Sequence, residues 1–541
     1  MLSVELKKEI GQMLMAGFPS PYVDDQAKAL LKDFYVGNYI YFARNVDSIT
    51  QITTLSKELS DLVYDALGAS PFLSMDQEGG LVSRLTEGAA LIPGAAAVSA
   101  GLKDLDEASL LKVEQLGENT GAILRAAGIN LNLAPDMDVN IEPKNPVIGA
   151  RSYGDDPHRV SLIASAMERG FRKAGVLGSI KHFPGHGNTA SDSHLSVPVN
   201  DTEMEVLLET EFKPFEEAIR QGAQAVLSCH VCYTKVDPAV PATLSKKIQT
   251  GILRERFGFK GLLLTDCLEM DAIRAGYPHG EGAVRAVEAG ADILTISHTY
   301  EAVKEAAEAL YKAVASGRIS EERIHASYER ILGFKKAMGL CERQKLDPEE
   351  AKALCFSKER LSLAEEMALH SVTLLQGSGE VDLKGEDVLL VASDHAPSTG
   401  AEDMRPLSLC EMAERLYGME TVRFPFALKK EEAAGVMDLV KEKAQQGRTK
   451  VLFGIYNGRF REGARQVLEL LLKDPRLEIT LLLLGTPYDL PALIKEPLDQ
   501  YPAKIKGVLT TYEYTMLSAR ALLTALEKKE FLGSNPFGRL E

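Results

Sequence analysis

The first 340 residues alternate short apolar segments with longer amphipathic ones, and this alternation restricts the possible folds more than any other feature. The apolar segments have the length of buried strands, and the stretches between them have the period of surface helices. Strands separated by helices lie parallel, because the crossover helix returns the chain to the same edge of the sheet. The eight predicted strands are residues 13–18, 37–42, 72–75, 129–134, 178–182, 225–230, 261–265 and 293–296.

Eight β-then-α units in about 300 residues fit a closed TIM-type (β/α)8 barrel, an α/β fold, better than an open sheet. The chemistry of that fold gathers at the carboxyl ends of its strands. Polar side chains recur at these ends in this sequence, namely Arg44, Asn45, Asp76, Gln77, Glu78, Asp136, Asp138, Lys181, His182, His230 and Asp266. The sequence therefore predicts a barrel with a functional site built from several strand ends.

The remainder of the chain repeats the alternation in a second unit. Residues 387–392, 421–424, 450–456, 479–484 and 507–510 have strand character and are separated by amphipathic segments. This pattern predicts a second α/β sandwich domain of the doubly wound type. We assign residues 1–340 to the barrel, 341–357 to a polar linker and 358–541 to this C-terminal αβα domain.

Composition argues against several classes of protein. A net charge of −16 disfavours nucleic acid and anionic membranes as partners. No apolar run reaches the roughly 18 residues of a membrane span. The six cysteines are scattered and form no disulfide framework for a chain of this size. The N-terminus has no apolar signal region, so we expect a cytoplasmic location.

The loop of residues 181–194 holds the densest group of reactive side chains. Pro184 and Gly187 prevent a helix here, and the loop follows an apolar run. Asp192 and His194 lie two residues apart, and a carboxylate beside an imidazole fixes its tautomer and raises its basicity. Such a pair can serve as general acid and then general base near neutral pH. The pattern alone is a weak signal, and the loop gains meaning only with partners elsewhere.

Histidine and cysteine pairs in the same region do not predict a metal or another cofactor. His182 and His186 have the spacing of a metal pair, but the Pro-Gly between them disrupts the helix that would place both on one face. Cys229 and Cys232 fall on opposite faces of the predicted strand. His230, between them, either lines the barrel mouth or is a core histidine. We retain it as a candidate substrate-binding residue.

Two carboxylates at strand ends are candidates for chemistry. Asp266 ends the seventh predicted strand, and this segment alone supports a reactive carboxylate and a helix cap equally. Asp76 and Arg84 flank a Gly-Gly turn, where they suit either hydroxyl recognition or a surface ion pair. Glycine-rich phosphate-binding motifs are absent from the sequence, so nucleotide binding has no support.

Five segments follow one another along the chain, namely Asp76-Gln-Glu-Gly-Gly, Val147-Ile-Gly-Ala-Arg-Ser-Tyr, Lys181-His-Phe-Pro-Gly-His-Gly, Asp192-Ser-His and Thr265-Asp-Cys-Leu-Glu-Met. Taken together, these segments resemble glycoside hydrolase family 3. The resemblance covers about residues 5–340 strongly, and the Asp-Ser-His element is similar to the β-N-acetylglucosaminidase subgroup of that family. It is weaker in the second domain, at Thr511-Tyr-Glu-Tyr and Gly533-Ser-Asn-Pro.

The resemblance implies a role for each matched residue. Asp266 would be the nucleophile, and His194 the acid/base assisted by Asp192. Asn188 stands where the family usually has Asp, which removes a charge from the loop. Cys267 stands where many relatives have a second Asp, which leaves Asp266 as the only carboxylate at that strand end. The residues implied to bind the sugar hydroxyls are Asp76, Arg84, Arg151, Lys181 and His182.

The expected activity is retaining hydrolysis of terminal β-linked N-acetylglucosamine from cell-wall (muropeptide) or chitin-type fragments, through a covalent glycosyl-aspartate. In the cytoplasm this activity would serve peptidoglycan recycling. A β-glucosidase or β-xylosidase of the same family usually takes its acid/base from a Glu outside the barrel, and no such motif is recognisable here. A phosphorylase stays open, because a neutral imidazole does not repel incoming phosphate. A sugar-binding protein without turnover and a metal hydrolase are the remaining alternatives.

Overall fold

The computed structural model describes residues 2–190, 197–397, 401–402, 408–496 and 498–538. Eight parallel strands follow one another around a barrel in chain order, and a bridge between Leu264 and Ile293 joins the two ends of the sheet. The predicted barrel is therefore confirmed. Its strands are β1 (Leu14–Ala16), β2 (Asn38–Tyr41), β3 (Phe72–Met75), β4 (Leu131–Asn132), β5 (Leu177–Phe183), β6 (Ala225–Ser228), β7 (Leu262–Thr265) and β8 (Leu294–Ile296).

The segments between the strands are helical and cover the outside of the barrel. Several begin at a side-chain cap; Asp156, for example, accepts a hydrogen bond from the Arg159 amide, and Pro157 occupies the first helical position. The helices are Val4–Gln12, Asp25–Phe34, Ile49–Leu67, Ala95–Ala100, Glu107–Ala126, Pro157–Lys173, Met204–Glu209, Lys213–Arg220, Lys247–Arg256, Asp271–Arg274, His279–Ala289, Tyr300–Ala315, Glu321–Ala337 and Pro348–Cys355. The last lies within the predicted linker, and its Ala351 and Cys355 belong to the barrel's core.

A second sheet has the order β9-β14-β13-β12-β10-β11, parallel except for β9, which pairs antiparallel with β14. Along β10, Leu390 and Ala392 join one core cluster, and Leu389 and Val391 join another, so both faces of the sheet are covered. The strands are β9 (Thr373–Gly377), β10 (Val388–Ser393), β11 (Glu420–Phe424), β12 (Lys450–Ile455), β13 (Glu478–Leu483) and β14 (Lys504–Thr510). The helices are Lys358–Ser371, Leu409–Tyr417, Ala433–Gln445, Glu462–Leu472, Leu490–Leu493 and Met516–Lys528.

The exact domain boundaries stay a prediction, although the barrel and the second α/β sheet are separate sheets in the structure. Strand β9 was not predicted from the sequence. Among the helices that the structure describes, none has both the length and the apolarity needed to cross a membrane.

Candidate active site

A cavity of about 360 Å³ lies at the carboxyl ends of the barrel strands. Apolar side chains such as Phe42, Val147 and Met270 form part of its wall, and Ala401 of the second domain also lines it. The structure brings six residues predicted from the sequence together in this wall, namely Asp76, Arg84, Arg151, Lys181, His182 and Asp266. The cavity is therefore the candidate active site.

Asp266 follows β7 directly and is half-buried in the cavity wall. Its Oδ1 accepts a hydrogen bond from the Cys267 amide at 2.7 Å. The next helix begins at Asp271 with Met270 at its cap position, so Asp266 does not cap a helix. The sequence segment alone supported a reactive carboxylate and a helix cap equally. The geometry favours a reactive carboxylate at Asp266.

A chain of alternating charges forms one side of the cavity. Lys181 Nζ lies 2.7 Å from Asp76 Oδ1 and 2.6 Å from Glu78 Oε1. Arg84 Nη2 donates to Asp76 Oδ2 at 3.0 Å, so Asp76 lies between two cations. Arg151 binds Glu78 with two parallel hydrogen bonds of 2.9 and 2.7 Å, the bidentate geometry that suits a guanidinium and a carboxylate.

Burial and neighbouring charges shift the pKa values of Asp76 and Glu78 in opposite directions. Burial alone would raise the pKa of Asp76, but Lys181 and Arg84 outweigh it and hold that pKa well below the usual range. Burial likewise opposes ionisation of Glu78, and the charges of Arg151 and Lys181 lower its pKa to about 2. Both side chains are therefore fixed anions at any pH at which the protein is expected to work.

His182 is held in one tautomer by its two neighbours. Arg151 Nη2 lies 3.2 Å from Nε2, and because a guanidinium only donates, Nε2 must accept. The ring proton is therefore on Nδ1, which donates to Asp138 Oδ2 at 2.6 Å. Burial lowers the pKa of His182 to about 4, so the ring is neutral at neutral pH.

Asp136 and Asp138 lie buried behind His182, and sequence matching assigned neither a role. Burial raises the pKa of Asp138 to about 6, and burial together with the neighbouring Asp138 raises the pKa of Asp136 well above its ordinary value. Asp136 Oδ2 has no hydrogen-bond partner among the residues that the structure describes, and it lies 3.7 Å from His182 Nδ1. These observations indicate a protonated Asp136 beside an ionised Asp138.

The ligand atoms of Asp136, Asp138 and His182 lie within 4.8 Å of one another, close enough for a metal ion. However, His182 Nδ1 carries the proton that Asp138 accepts, and the Arg151 guanidinium already lies 3.8 Å from Asp136 Oδ2. A cation and a protonated nitrogen both oppose metal binding. The donor set therefore does not fit a metal ion.

Glu78 and His186 are further members of the cavity wall to which the sequence gave no individual role. Burial lowers the pKa of His186 to about 3, and its Nδ1 lies 2.9 Å from Thr189 Oγ1. In the sequence Glu78 was visible as part of the motif that begins at Asp76, and His186 only through its metal-pair spacing from His182.

His230 lies outside the cavity wall. Its Nδ1 lies 2.9 Å from Thr243 Oγ1, its Nε2 lies 2.9 Å from the Cys267 carbonyl oxygen, and the side chain is fully buried. Both ring nitrogens are engaged by protein atoms, so the geometry favours a core histidine over a residue that touches substrate.

The predicted acid/base pair, Asp192 and His194, lies outside the described residues. The part of the loop before it is anchored, because Asn188 Nδ2 donates to Thr202 Oγ1 at 3.2 Å and Asn145 Nδ2 donates to the His186 carbonyl oxygen at 2.8 Å. The neutral Asn188 thus provides an anchor without the charge that the family usually has. At the other departure, Cys267 lines the cavity next to Asp266.

Comparison with known proteins agrees with this geometry. Residues 5–334 match the model of the glycosyl hydrolase family 3 N terminal domain. The chain belongs to glycosyl hydrolase family 3. This confirms the resemblance drawn from the sequence motifs, and with it the enzyme class, a glycoside hydrolase.

Two bacterial relatives that are more than 30% identical to this chain are named β-hexosaminidase. The β-hexosaminidase of Methylococcus capsulatus is 37% identical over 280 residues, which cover 52% of this chain and 81% of the relative. A β-hexosaminidase from Xylella fastidiosa is 34% identical over 299 residues, which cover 55% of this chain and 87% of the relative. These names support the predicted β-N-acetylhexosaminidase type.

Solved structures extend the likeness to the second domain. A family 3 β-N-acetylglucosaminidase from Paenibacillus sp. str. FPU-7 aligns with a TM-score of 0.89 at 34% identity, over 99% of both chains. A β-glucoside phosphorylase aligns with a TM-score of 0.78 at 23% identity, over 99% of this chain and 97% of the other, which shows a shared fold.

Proposed function

We propose that the protein is a retaining β-N-acetylglucosaminidase that releases terminal β-linked N-acetylglucosamine through a covalent intermediate on Asp266. The observation that carries the proposal is the position of Asp266, a half-buried carboxylate in a cavity whose adjoining wall is a fixed network of charged donors and acceptors. The names of the relatives support the choice of the N-acetyl sugar.

In the first step Asp266 attacks the anomeric carbon, the bond to the leaving oxygen breaks, and His194 donates a proton to that oxygen. In the second step His194 removes a proton from water, which attacks the same carbon and releases the sugar from the Asp266 ester. Asp192 would accept from the His194 imidazole and stabilise its protonated form. Proton transfer of this kind typically contributes about 10²- to 10⁴-fold to the rate.

The network around Lys181 supplies the binding half of the proposal. Sugar hydroxyls both donate and accept, and Asp76, Glu78, Arg84 and Arg151 provide both kinds of partner in fixed positions. Because these charged groups already hold one another, little reorganisation is needed when the sugar binds.

The natural substrate in this proposal is a cell-wall (muropeptide) or chitin-type fragment with N-acetylglucosamine at its non-reducing end. Peptidoglycan recycling in the cytoplasm is the corresponding physiological role. No metal or other cofactor enters the reaction.

The decisive experiment replaces the nucleophile. We expect Asp266→Ala to lose turnover of p-nitrophenyl β-N-acetylglucosaminide by at least about 10³-fold, because covalent catalysis is removed. Sodium azide should restore part of the reaction and yield a glycosyl azide, since a small anion can occupy the space of the lost carboxylate. Near-wild-type turnover in this variant would exclude Asp266 as the nucleophile.

A substrate panel on the wild type separates the alternatives. Rapid turnover of the N-acetylglucosaminide alone, unaffected by phosphate, supports the proposal. A preference for the β-glucoside would mean that the argument from Asp192 and His194 is wrong. Acceleration by phosphate with formation of sugar 1-phosphate would identify a phosphorylase.

A further inference from the structure

A small hairpin carries the charged network and extends into the second domain. Its strands, Gln77–Gly79 and Val82–Ser83, pair antiparallel, with Asp76 and Arg84 at its two ends. Leu81 at the turn is buried and belongs to the core cluster of the second domain, together with Val372 and Tyr514. The hairpin therefore belongs to the barrel by chain connection and to the second domain by packing.

A carboxylate of the second domain contacts the turn of this hairpin. Glu513 follows β14 and is only 2% exposed. Its Oε2 accepts a hydrogen bond of 2.6 Å from the Gly94 amide, and its Oε1 accepts one of 3.0 Å from Thr515 Oγ1. A Cβ atom on Gly80, at the turn, would collide with Glu513 Oε2, which shows how closely the carboxylate approaches the hairpin backbone.

The surrounding contacts make the position of the turn depend on Glu513. The Gly80 amide donates to the Ile92 carbonyl oxygen at 2.8 Å, so the turn is attached to the segment that Glu513 holds through Gly94. Gly80 has a φ of +57°, in the left-handed region that favours glycine. A larger residue at Gly80 is thus excluded by conformation as well as by space.

We propose that Glu513 is a positioning residue, through which the second domain fixes the hairpin and thereby places Asp76 and Glu78 for sugar binding. A buried carboxylate requires hydrogen-bond donors, and the Gly94 amide would lose its acceptor if the carboxylate were removed. With the acceptor gone, the 92–94 segment and the turn attached to it can shift, and the network bound to the hairpin shifts with them. The inference rests on the proposed function for its choice of substrate.

The kinetic signature follows from the role of the network. Contacts to hydroxyls away from the reacting carbon are made in the ground state and the transition state alike, so their loss raises KM and leaves kcat largely unchanged. We expect Glu513→Ala to raise KM for p-nitrophenyl β-N-acetylglucosaminide about 10- to 100-fold, with kcat within about threefold of wild type. The dissociation constant of N-acetylglucosamine, measured by calorimetry, should increase in parallel.

Two further variants and one control complete the test. Glu513→Gln keeps an oxygen that can accept from the Gly94 amide, so KM should return to within about fivefold of wild type. Leu81→Ala loosens the same turn from the other side and should raise KM in the same way. The control is Glu366→Ala, which removes a different carboxylate contact between the two units, the exposed 2.9 Å pair with Lys112, and should leave KM unchanged.

A purely structural role would lower the melting temperature of the Glu513 variants and leave KM as in wild type, and that result overturns the proposal. An equal rise of KM in Glu366→Ala would also overturn it, because any loosening of the two domains would then suffice. If Glu513→Ala fails to fold, Leu81→Ala decides the matter, because the proposal predicts a raised KM in that variant and a purely structural role predicts an unchanged one. Turnover by the wild type tests the proposed function separately, whereas the ratio of variant to wild-type constants tests Glu513.

Discussion

Replacing Asp by Asn at positions 136 and 138 should have opposite consequences, although the change is chemically identical and both side chains are buried. Asp138 accepts two short hydrogen bonds of 2.6 Å, from His182 Nδ1 and from the His186 amide. Asp136 Oδ1 accepts a hydrogen bond of 2.7 Å from the Asp138 amide, whereas Asp136 Oδ2 has no hydrogen-bond partner within the described part of the chain. One carboxyl group therefore serves as an anionic acceptor, and the other holds a proton.

The expected magnitudes follow from these contacts. In Asp136→Asn the new side chain is neutral like the protonated acid, and its Oδ1 can still accept from the Asp138 amide, so we expect kcat/KM to change by less than about threefold. In Asp138→Asn one of the two charge-assisted bonds is lost. Hydrogen bonds to charged groups contribute about 1.5–3 kcal/mol each. A loss of about 2–3 kcal/mol corresponds to a fall in kcat/KM of about 30- to 160-fold.

Stability against pH provides a second measurement on Asp136→Asn. Burial and the neighbouring Asp138 raise the pKa of Asp136 in the folded protein above its ordinary value of 3.8. The folded state then holds a proton that the unfolded chain releases, so stability is lost as pH rises from about 4 towards the raised pKa. An asparagine side chain carries no titrating proton. The melting temperature of the variant, relative to wild type, should therefore increase between pH 5 and pH 8.

Kinetics with p-nitrophenyl β-N-acetylglucosaminide and thermal unfolding by circular dichroism suffice for both variants. An Asp136→Asn variant as impaired as Asp138→Asn would refute the assignment of the proton to Asp136. A difference in melting temperature that does not change with pH would refute it independently.

Two further substitutions test other parts of the barrel. Burial lowers the pKa of Lys335 to about 7, while its Nζ donates to Gln12 Oε1 and the Gly37 carbonyl oxygen at 2.8 and 2.9 Å. The unfolded chain binds the Lys335 proton more tightly than the folded protein does, so the stability of the wild type relative to Lys335→Met should rise from pH 7 to pH 9.5. A difference in melting temperature that stays constant over this range would contradict the prediction. Asn188→Asp restores the residue that the family usually has. The new carboxylate can accept a hydrogen bond from the Thr202 hydroxyl, so kcat/KM should stay within about threefold of the wild-type value. A tenfold gain in kcat/KM would show that the charge at this position matters.

The fold could be predicted from the sequence because the strand and helix periods are local properties. All eight barrel strands overlap the predicted segments, but β1 shortens from residues 13–18 to Leu14–Ala16 and β4 from residues 129–134 to Leu131–Asn132. The apolar run there continues beyond the ladder into the segment that leads to Asp136. Strand β9 escaped prediction because it begins two residues after the helix Lys358–Ser371, so Leu374 and Leu375 continue the apolar pattern of that helix in the sequence.

The site was predictable only where a family motif marks it. Glu78 and Asp138 went unassigned because they contact other side chains of the site, and those partners are distant in the chain. Glu78 binds Arg151 across 73 positions, and Asp138 binds His182 across 44. No local pattern encodes such a pair, and the one signal available was that each acid follows a strand end of a predicted barrel.

The alternation of charges explains why Glu78, to which the sequence gave no role, is as important to the cavity wall as Asp76, to which the family resemblance implied one. Three cations, the buried Arg84 and Lys181 and the half-buried Arg151, can be held in a cavity only if anions lie between them, since an unpaired buried charge is strongly destabilising. Asp76 and Glu78 are those anions, and both come from one hairpin whose turn Glu513 contacts. Charge balance within the barrel therefore holds this wall of the cavity together, and we propose that the position of its anionic half depends on Glu513 of the second domain.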